Sequence, residues 1–224
     1  MNSNNKIVIS EKIGEISYEL SVSTKPKYIL TLAHGAGAGM NHPFLSQLSQ
    51  KLSDKGATVL RFNFPYKEQG KKLPGSSQPN IETINIISTW CQEQFPDLPI
   101  YLGGKSYGGR MSSHFVAKSQ NARIDGLIYF GFPLHSPGKP DVKRAEHLFE
   151  IKIPQLFLQG TNDALAEIQL ISDIVNKIPQ ATLVKFENAD HSFKVPRKLN
   201  GKSMDNMIEE LATATDYWIS NLLN

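Results

Sequence analysis

A serine at the centre of a Gly-x-Ser-x-Gly pattern has the strongest potential for chemistry in this sequence. The pattern consists of Gly104, Lys105, Ser106, Tyr107 and Gly108. It lies between an apolar run and a helical pattern, and this strand–turn–helix context lifts a serine hydroxyl clear of a sheet. The partial positive charge at the helix N-terminus would stabilise an oxyanion formed beside it. We therefore predict Ser106 as a nucleophile; the alternative is a glycine-rich turn with an idle serine.

A serine nucleophile needs a base to accept its proton and an acid to orient that base. Among the six histidines, His191 follows the last predicted strand, which is where chain order places the base. Asp163 follows the preceding strand at 155–159 and is predicted as the acid. The alternatives are a surface-loop role for His191 and a helix N-cap role for Asp163. Asp190, adjacent to the histidine, is a weaker candidate acid.

The other histidines and the single cysteine have less specific contexts. His34 belongs to a glycine-rich loop and is interpreted as a structural residue that bonds loop backbone. Either His135 or His147 could line a cleft, whereas His114 is expected to be packed or solvated within a helix. Cys91 falls on an apolar helix stripe, which favours a buried, inert thiol over a nucleophile.

Backbone N–H groups are the expected donors to the oxyanion. One donor follows the nucleophile, at Tyr107, and the other comes from the loop after an earlier strand. That loop, residues 34–39, is rich in glycine, so its main chain can approach a reacting carbon closely. Ala36 is the predicted donor from this loop.

Two nucleotide-binding patterns begin among the same glycines but are not completed. In a phosphate-binding loop ending at Gly104, Lys105 and Ser106, the first glycine would fall on Pro99. In a dinucleotide-binding pattern starting at Gly35, the third glycine would fall on Met40. Neither nucleotide site is predicted.

Strand-like and helical patterns alternate along the chain. The predicted strands lie at 16–22, 28–33, 57–62, 100–103, 127–130, 155–159 and 182–186. Helical patterns are predicted from 43, over 81–95, from 107, over 168–178 and over 208–222. The intervals 65–79 and 131–150 are predicted as a long loop and an irregular stretch. This alternation predicts an α/β fold with a mainly parallel central sheet and helices on both faces, with the first hairpin-like segment adding antiparallel edge strands. The site is then expected beyond the carboxyl ends of the strands.

Length and composition set broad limits on the class of protein. The 224 residues, 40% hydrophobic and 20% charged, are expected to form a single domain over 1–224. A net charge of +3 does not indicate nucleic acid or membrane lipid as a partner. The polar segment 1–10 has no apolar core of a secretory signal, and one cysteine permits no internal disulfide. The expected compartment is the cytoplasm.

Taken together, these motifs resemble the α/β-hydrolase superfamily over nearly the whole chain. The resemblance is carried by His34-Gly35-Ala36-Gly37, Gly104-Lys105-Ser106-Tyr107-Gly108-Gly109-Arg110, Asp163 and Asp190-His191-Ser192-Phe193. They look most similar to the compact branch related to dienelactone hydrolases, and to a hydrolase-like domain of bacteria that also occurs in a eukaryotic testis-expressed protein and a chromatin-complex subunit.

The resemblance implies an acyl-enzyme mechanism without metal or cofactor. It implies Ser106 as nucleophile, His191 as base, Asp163 as acid, and Ala36 and Tyr107 as oxyanion donors. Dienelactone hydrolases carry cysteine at the nucleophile position, so their substrate is not carried over to this chain.

The interval 131–153 is short and proline-containing, so no large helical lid is expected. Basic residues occur in the loops 65–79 and 131–150, which suggests either a solvated rim or a preference for acidic substrates. They are Lys67, Lys71, Lys72, Lys139, Lys143 and Arg144.

The leading hypothesis is a serine hydrolase that cleaves carboxylic esters or thioesters of small soluble substrates. The alternatives are a non-catalytic binding or scaffolding domain, and a peptide or C–C bond hydrolase on the same three residues. A complete set of nucleophile, base and acid favours the enzyme.

Overall fold

An eight-stranded sheet forms the centre of the computed structural model, which describes residues 5–119, 123–199 and 202–223. The strand order is β1-β2-β4-β3-β5-β6-β7-β8. The strands are β1 Asn5–Ser10, β2 Gly14–Ser21, β3 Tyr28–Ala33, β4 Ala57–Phe62, β5 Ile100–Lys105, β6 Gly126–Phe130, β7 Gln155–Gly160 and β8 Ala181–Phe186.

The sheet is parallel from β4 to β8, and only β1 and β2 run antiparallel to their neighbours. Strands β3, β4, β6 and β7 are buried along their whole length, as expected for strands covered on both faces. The mainly parallel α/β sheet predicted from the sequence is therefore confirmed. The carboxyl ends of β3, β5, β6, β7 and β8 all lie at one edge of it.

Helices cover both faces of the sheet. The described helices are α1 Pro43–Asp54, α2 Pro65–Glu68, α3 Gln78–Gln94, α4 Tyr107–Lys118, α5 Ile168–Val175 and α6 Met204–Leu223. One apolar core joins the sheet to α3, α4 and α5, and a second joins it to α1 and α6. Within the described ranges, no helix has both the length and the apolar character needed to cross a bilayer.

Three elements differ from the sequence prediction. β1 was not predicted, because only Ile7 and Ile9 of this polar segment are buried and the strand pairs at a sheet edge. The predicted loop 65–79 contains the four-residue α2 and the start of α3. The irregular stretch 131–150 ends in the 3₁₀ segment Lys143–Glu150, and no larger helix covers the sheet between β6 and β7, all of which is described.

Two stacked histidines join α4 to this 3₁₀ segment. The ring centroids of His114 and His147 lie 3.7 Å apart with an interplanar angle of 18°. His147 Nε2 lies 2.7 Å from Ser113 Oγ, whose hydroxyl donates to the Arg110 carbonyl oxygen. Burial, with nearby positive charge from Arg110 and Lys118, lowers the pKa of His114 to about 4 and that of His147 to about 3. Both rings are therefore neutral in the folded protein near neutral pH.

The histidine pair should make the fold less stable in mild acid. Because the folded pKa values lie below the unfolded value of about 6.5, the unfolded chain binds more protons as pH falls from about 6.5 towards 4. The full shifts of the two groups correspond to about 5 kcal/mol between pH 7 and pH 4.5. Because both rings are partly exposed to solvent, we expect the free energy of unfolding to fall by roughly 1–3 kcal/mol over this range. Urea unfolding at both pH values should show a smaller change in His147→Gln, whose amide still donates to Ser113. An equal change in the two proteins would contradict this.

Candidate active site

Ser106 occupies a strained turn between β5 and α4. Its backbone has φ 51° and ψ −112°, in a region that residues with a side chain rarely adopt. Its N–H donates to the Phe130 carbonyl oxygen at 3.2 Å, which fixes the turn against β6. Such a conformation costs on the order of 1–3 kcal/mol and persists only where the surrounding structure enforces it. The turn places the serine at the carboxyl edge of the sheet, at the first residue before α4.

Close backbone contacts enforce this turn. A Cβ atom on Gly108 would lie 2.4 Å from the Ala33 carbonyl oxygen, and one on Gly104 would lie 2.4 Å from the Gly109 nitrogen. Neither distance is compatible with a side chain, so α4 packs directly on β3 and β5 only because these residues are glycines. The glycines of the sequence motif therefore have a steric role on both sides of Ser106.

The imidazole of His191 bridges the serine and the carboxylate. Its Nε2 atom lies 2.8 Å from Ser106 Oγ, and its Nδ1 atom lies 2.7 Å from Asp163 Oδ2. Since the carboxylate can only accept, Nδ1 carries the proton and Nε2 is free to accept one from the serine hydroxyl. The His191 side chain is 23% exposed whereas that of Asp163 is fully buried, so only the base is open to a substrate. The structure brings the three residues together, and their catalytic roles remain predictions.

Three donors satisfy the buried carboxylate of Asp163. Besides His191, Gln159 Nε2 donates to Oδ2 at 2.6 Å, and the Leu165 N–H donates to Oδ1 at 2.7 Å. The N-cap alternative for this residue holds in part, because Asp163 caps the local turn while α5 begins later, at Ile168. One carboxylate oxygen therefore fixes the loop and the other faces the histidine.

Gln159 is a site residue that the sequence reasoning missed. It is fully buried in β7, and its Oε1 atom accepts from the Phe132 N–H at 2.9 Å. Its amide thus joins the loop after β6 to the carboxylate of Asp163. Its sequence signal is weak: it is one of two glutamines in a mainly apolar strand, four residues before the predicted acid, and the partners of its amide are not evident from the sequence.

The residues around Ser106 form a cleft of about 350 Å³. Its lining residues are Gly35, Ala36, Ala38, His42, Phe44, Leu45, Lys105, Ser106, Leu165, His191 and Ser192. Ala36 is thus in the cleft, as an oxyanion donor must be, and Tyr107 opens α4 directly after the serine. The basic residues of the loops 65–79 and 131–150 are not part of this lining; the one lysine that is, Lys105, belongs to β5.

Comparison with known proteins identifies the family. A family model described as an alpha/beta hydrolase domain matches residues 26–220. The chain belongs to this family. The superfamily resemblance inferred from the motifs is thereby confirmed. The connection between β6 and β7 of this α/β hydrolase is short and contains no large helical lid, as the sequence predicted.

Solved structures share the fold of this α/β hydrolase. An alpha-beta serine hydrolase homologue from Coxiella burnetii is 18% identical, covers 96% of this chain and 98% of its own, and has a TM-score of 0.74. A dienelactone hydrolase from Anabaena variabilis is 17% identical, with 97% and 96% covered and a TM-score of 0.76. At such identities the likeness shows the fold.

A curated relative matches over a shorter region. A proline iminopeptidase of Thermoplasma volcanium is 31% identical over 119 residues, which are 52% of this chain and 38% of that protein. The α/β hydrolase therefore matches well under half of the length of this relative.

The remaining candidate residues of the α/β hydrolase have structural contacts. Asp190 Oδ1 accepts from the N–H groups of Ser192 and Lys194 at 2.8 and 2.9 Å, so it shapes the loop that carries the histidine. Buried His34 donates from Nδ1 to the Gly35 carbonyl oxygen and accepts the Phe64 N–H at Nε2. Burial lowers the pKa of His34 to about 4. The structural role predicted for His34 is confirmed.

Two further predictions differ in outcome. His135 accepts the Glu167 N–H and His147 stacks on His114, so neither lines the cleft, contrary to the expectation that one of them could. Cys91 is fully buried, and burial raises the pKa of its thiol to about 12, which confirms the buried, unreactive position.

Loss of the Gln159 amide should reduce turnover more than substrate affinity. In Gln159→Met, Asp163 loses a donor and the orientation of His191 is less restricted, so we expect kcat for hydrolysis to fall about tenfold with KM nearly unchanged. Gln155→Met is a matched control, because Gln155 is a buried β7 glutamine that instead bonds Tyr129 and the Leu148 carbonyl. Equal kcat losses in the two variants, measured together with their stabilities, would contradict a role at the site.

Proposed function

We propose that this α/β hydrolase is a serine esterase or thioesterase that acts on small substrates through an acyl-enzyme. The observation that carries the proposal is the continuous hydrogen-bonded series from Ser106 Oγ through His191 to the buried carboxylate of Asp163. Its distances of 2.8 and 2.7 Å fall within the range in which a base can accept a proton from the attacking hydroxyl. A scaffold would not require this alignment.

The first half of the reaction transfers the acyl group to the enzyme. Ser106 Oγ attacks the carbonyl carbon while its proton passes to His191 Nε2, and Asp163 stabilises the resulting imidazolium. The carbonyl oxygen becomes an oxyanion, for which we propose the backbone N–H groups of Ala36 and Tyr107 as donors. As the intermediate collapses, Nε2 returns the proton to the departing alkoxide or thiolate.

The second half repeats these steps with water. His191 Nε2 accepts a proton from the water molecule whose oxygen attacks the acyl carbon, and then protonates Ser106 Oγ as the acid product leaves. The 23% exposure of the His191 side chain gives water access to the acyl-enzyme. Both halves of the reaction use only side chains and backbone groups of this protein.

Ester chemistry is supported by the cleft and by the family. Apolar side chains of Phe44, Leu45 and Leu165 line one part of the cleft, which suits an acyl or alkyl group. One of the structural neighbours is a dienelactone hydrolase, whose named substrate is a cyclic ester. This supports the ester bond as the target and does not extend to dienelactone itself. We assign the substrate class as small carboxylic esters or thioesters for these two reasons.

Labelling with a fluorophosphonate should depend on Ser106. The wild-type protein should react because its serine is activated by His191, and Ser106→Ala should not. Ester turnover should fall by about 10⁴-fold in Ser106→Ala and by a comparable factor in Asp163→Asn, which alters the histidine tautomer. Ser112→Ala is the control, since its hydroxyl on the same helix bonds the Gly108 carbonyl. Undiminished turnover in Ser106→Ala would refute Ser106 as the nucleophile, whereas a wild type that neither reacts nor turns over ester would favour the scaffold hypothesis.

Short acyl chains should be preferred. A cleft of about 350 Å³ leaves little room beyond a short acyl group and its leaving group, and no lid helix extends its apolar wall between β6 and β7. We expect kcat/KM for p-nitrophenyl esters to fall more than about tenfold from butyrate to dodecanoate. Prolyl p-nitroanilide tests the peptidase alternative suggested by the iminopeptidase relative. Faster cleavage of that anilide than of the butyrate ester would overturn the esterase assignment.

A further inference from the structure

Lys105 directly precedes Ser106, and its side chain lies on the face of the sheet opposite to α4. Successive side chains alternate across a strand, and Gly104 faces α4, so Lys105 projects towards the layer of α1 and α6. A Cβ atom on Gly35 would lie 3.8 Å from its Cγ atom. The lysine is therefore only partly exposed and forms part of the cleft wall.

The ammonium group ends under the loop that carries His191. Lys105 Nζ donates to the backbone carbonyl oxygen of His191 at 2.6 Å. It also lies 5.5 Å from the centre of the buried Phe193 ring, two residues further along the same loop. A Cβ atom on Gly131 would be 3.2 Å from Nζ and 3.6 Å from two atoms of the His191 ring. The lysine, the histidine and the turn after β6 are thus in mutual contact.

This position is unfavourable for a charged group. Desolvation lowers the pKa of Lys105 to about 8, and the charges of Asp163 and Asp190 offset that effect only in part. In the part of the chain that the structure describes, the ammonium forms no ion pair, so its close polar contact is the His191 carbonyl. Strongly desolvated titratable groups in a cleft concentrate at functional sites. An apolar side chain would fill this space at lower cost if packing were its purpose.

We propose that Lys105 is a positioning residue that ties the His191 backbone to the strand bearing the nucleophile. This role rests on the proposed function, because it concerns the distance between Ser106 Oγ and His191 Nε2. Lys105 is the last residue of β5 and Ser106 follows it directly in the chain. A bond from Lys105 to the histidine backbone therefore fixes the base relative to the strand end that positions the nucleophile. Other contacts of this loop are made elsewhere: the Asn162 N–H bonds the Ala189 carbonyl oxygen next to β7, and Phe193 packs on Phe44 of α1.

The charge of Lys105 strengthens this tie. A hydrogen bond from an ammonium is stronger than one from a neutral amine, so the contact should weaken as pH rises through about 8. The titratable groups that face the ammonium are Asp163, Asp190 and His191, and His42 lines the same cleft. The pKa of Lys105 lies near 8, and its replacement should therefore remove the alkaline loss of activity.

The test is the pH dependence of kcat and KM for p-nitrophenyl butyrate in wild type and Lys105→Met. Methionine replaces the apolar stem of the lysine up to the Cε position but has no donor. We expect kcat to fall roughly 10- to 100-fold with KM changed less than about threefold, as for a small displacement of a catalytic group. The wild-type kcat should decline above about pH 8, and this decline should be absent in the variant. Lys194→Met, a solvent-exposed lysine of the same loop, should match wild type in both respects.

A chemical rescue separates positioning from folding defects. Lys105→Cys alkylated with 2-bromoethylamine restores an ammonium of nearly the same length, and it should recover kcat with the alkaline decline moved to lower pH. Cys91 is buried and should not react.

The proposal is wrong if kcat and the pH profile are unchanged in Lys105→Met, or if the wild-type kcat shows no decline near pH 8. It is also wrong if the loss appears in KM and only for esters bearing a carboxylate, because that would indicate a role in substrate binding. If Ser106→Ala retains turnover, the proposed function itself is wrong. If Ser106→Ala loses turnover while Lys105→Met keeps the wild-type kcat, only the positioning role of Lys105 is refuted.

Discussion

The direct contact of helix α4 with the sheet is the constraint on which the site depends. The Ala33 carbonyl oxygen leaves no space for a side chain at position 108, and the Gly109 nitrogen leaves none at position 104. These contacts hold the chain in the tight turn that places Ser106 at φ 51°. A wider turn would relax the serine and lower its hydroxyl towards the sheet, out of reach of a base on a neighbouring loop. The 2.8 Å distance between Ser106 Oγ and His191 Nε2 therefore depends on the backbone contact between α4 and the sheet.

Burial is graded along the three side chains. The carboxylate of Asp163 has no exposed surface, and donors from His191, Gln159 and Leu165 replace its lost hydration. The imidazole is partly open, as it must be if it is to exchange protons with substrate and water. The inner end of the series is therefore a fully hydrogen-bonded carboxylate, and proton exchange is confined to the outer end, where the imidazole is accessible.

Most of the fold and the three central residues could be predicted because both follow from local patterns and chain order. A nearly continuous apolar run identified β3, mainly apolar runs identified β4 and β7, and the glycines around Ser106 identified the turn. Asp163 and His191 then followed from their positions after later strands. The weakly apolar β1 could not be distinguished from a polar terminus, since its burial depends on pairing with β2 and packing against α3.

Gln159 and Lys105 could not be assigned from the sequence because their partners are distant in the chain. The amide of Gln159 contacts a backbone group 27 residues away, and the ammonium of Lys105 contacts one 86 residues away. Nothing in a buried glutamine or a lysine beside a serine indicates which loop it will meet. Only the strand order brings these ends together.

These two residues show how the sheet itself sets the geometry of the site. Strands β5, β6, β7 and β8 are consecutive neighbours, and each contributes a loop or a side chain to the same edge. Gln159 links the end of β7 to the turn after β6, while Lys105 links the end of β5 to the loop after β8. Loops held only by their own turns would move independently, and a displacement of about 1 Å is enough to reduce catalysis severely. Polar groups buried at the strand ends transfer the rigidity of the sheet to the loops that carry the acid and the base.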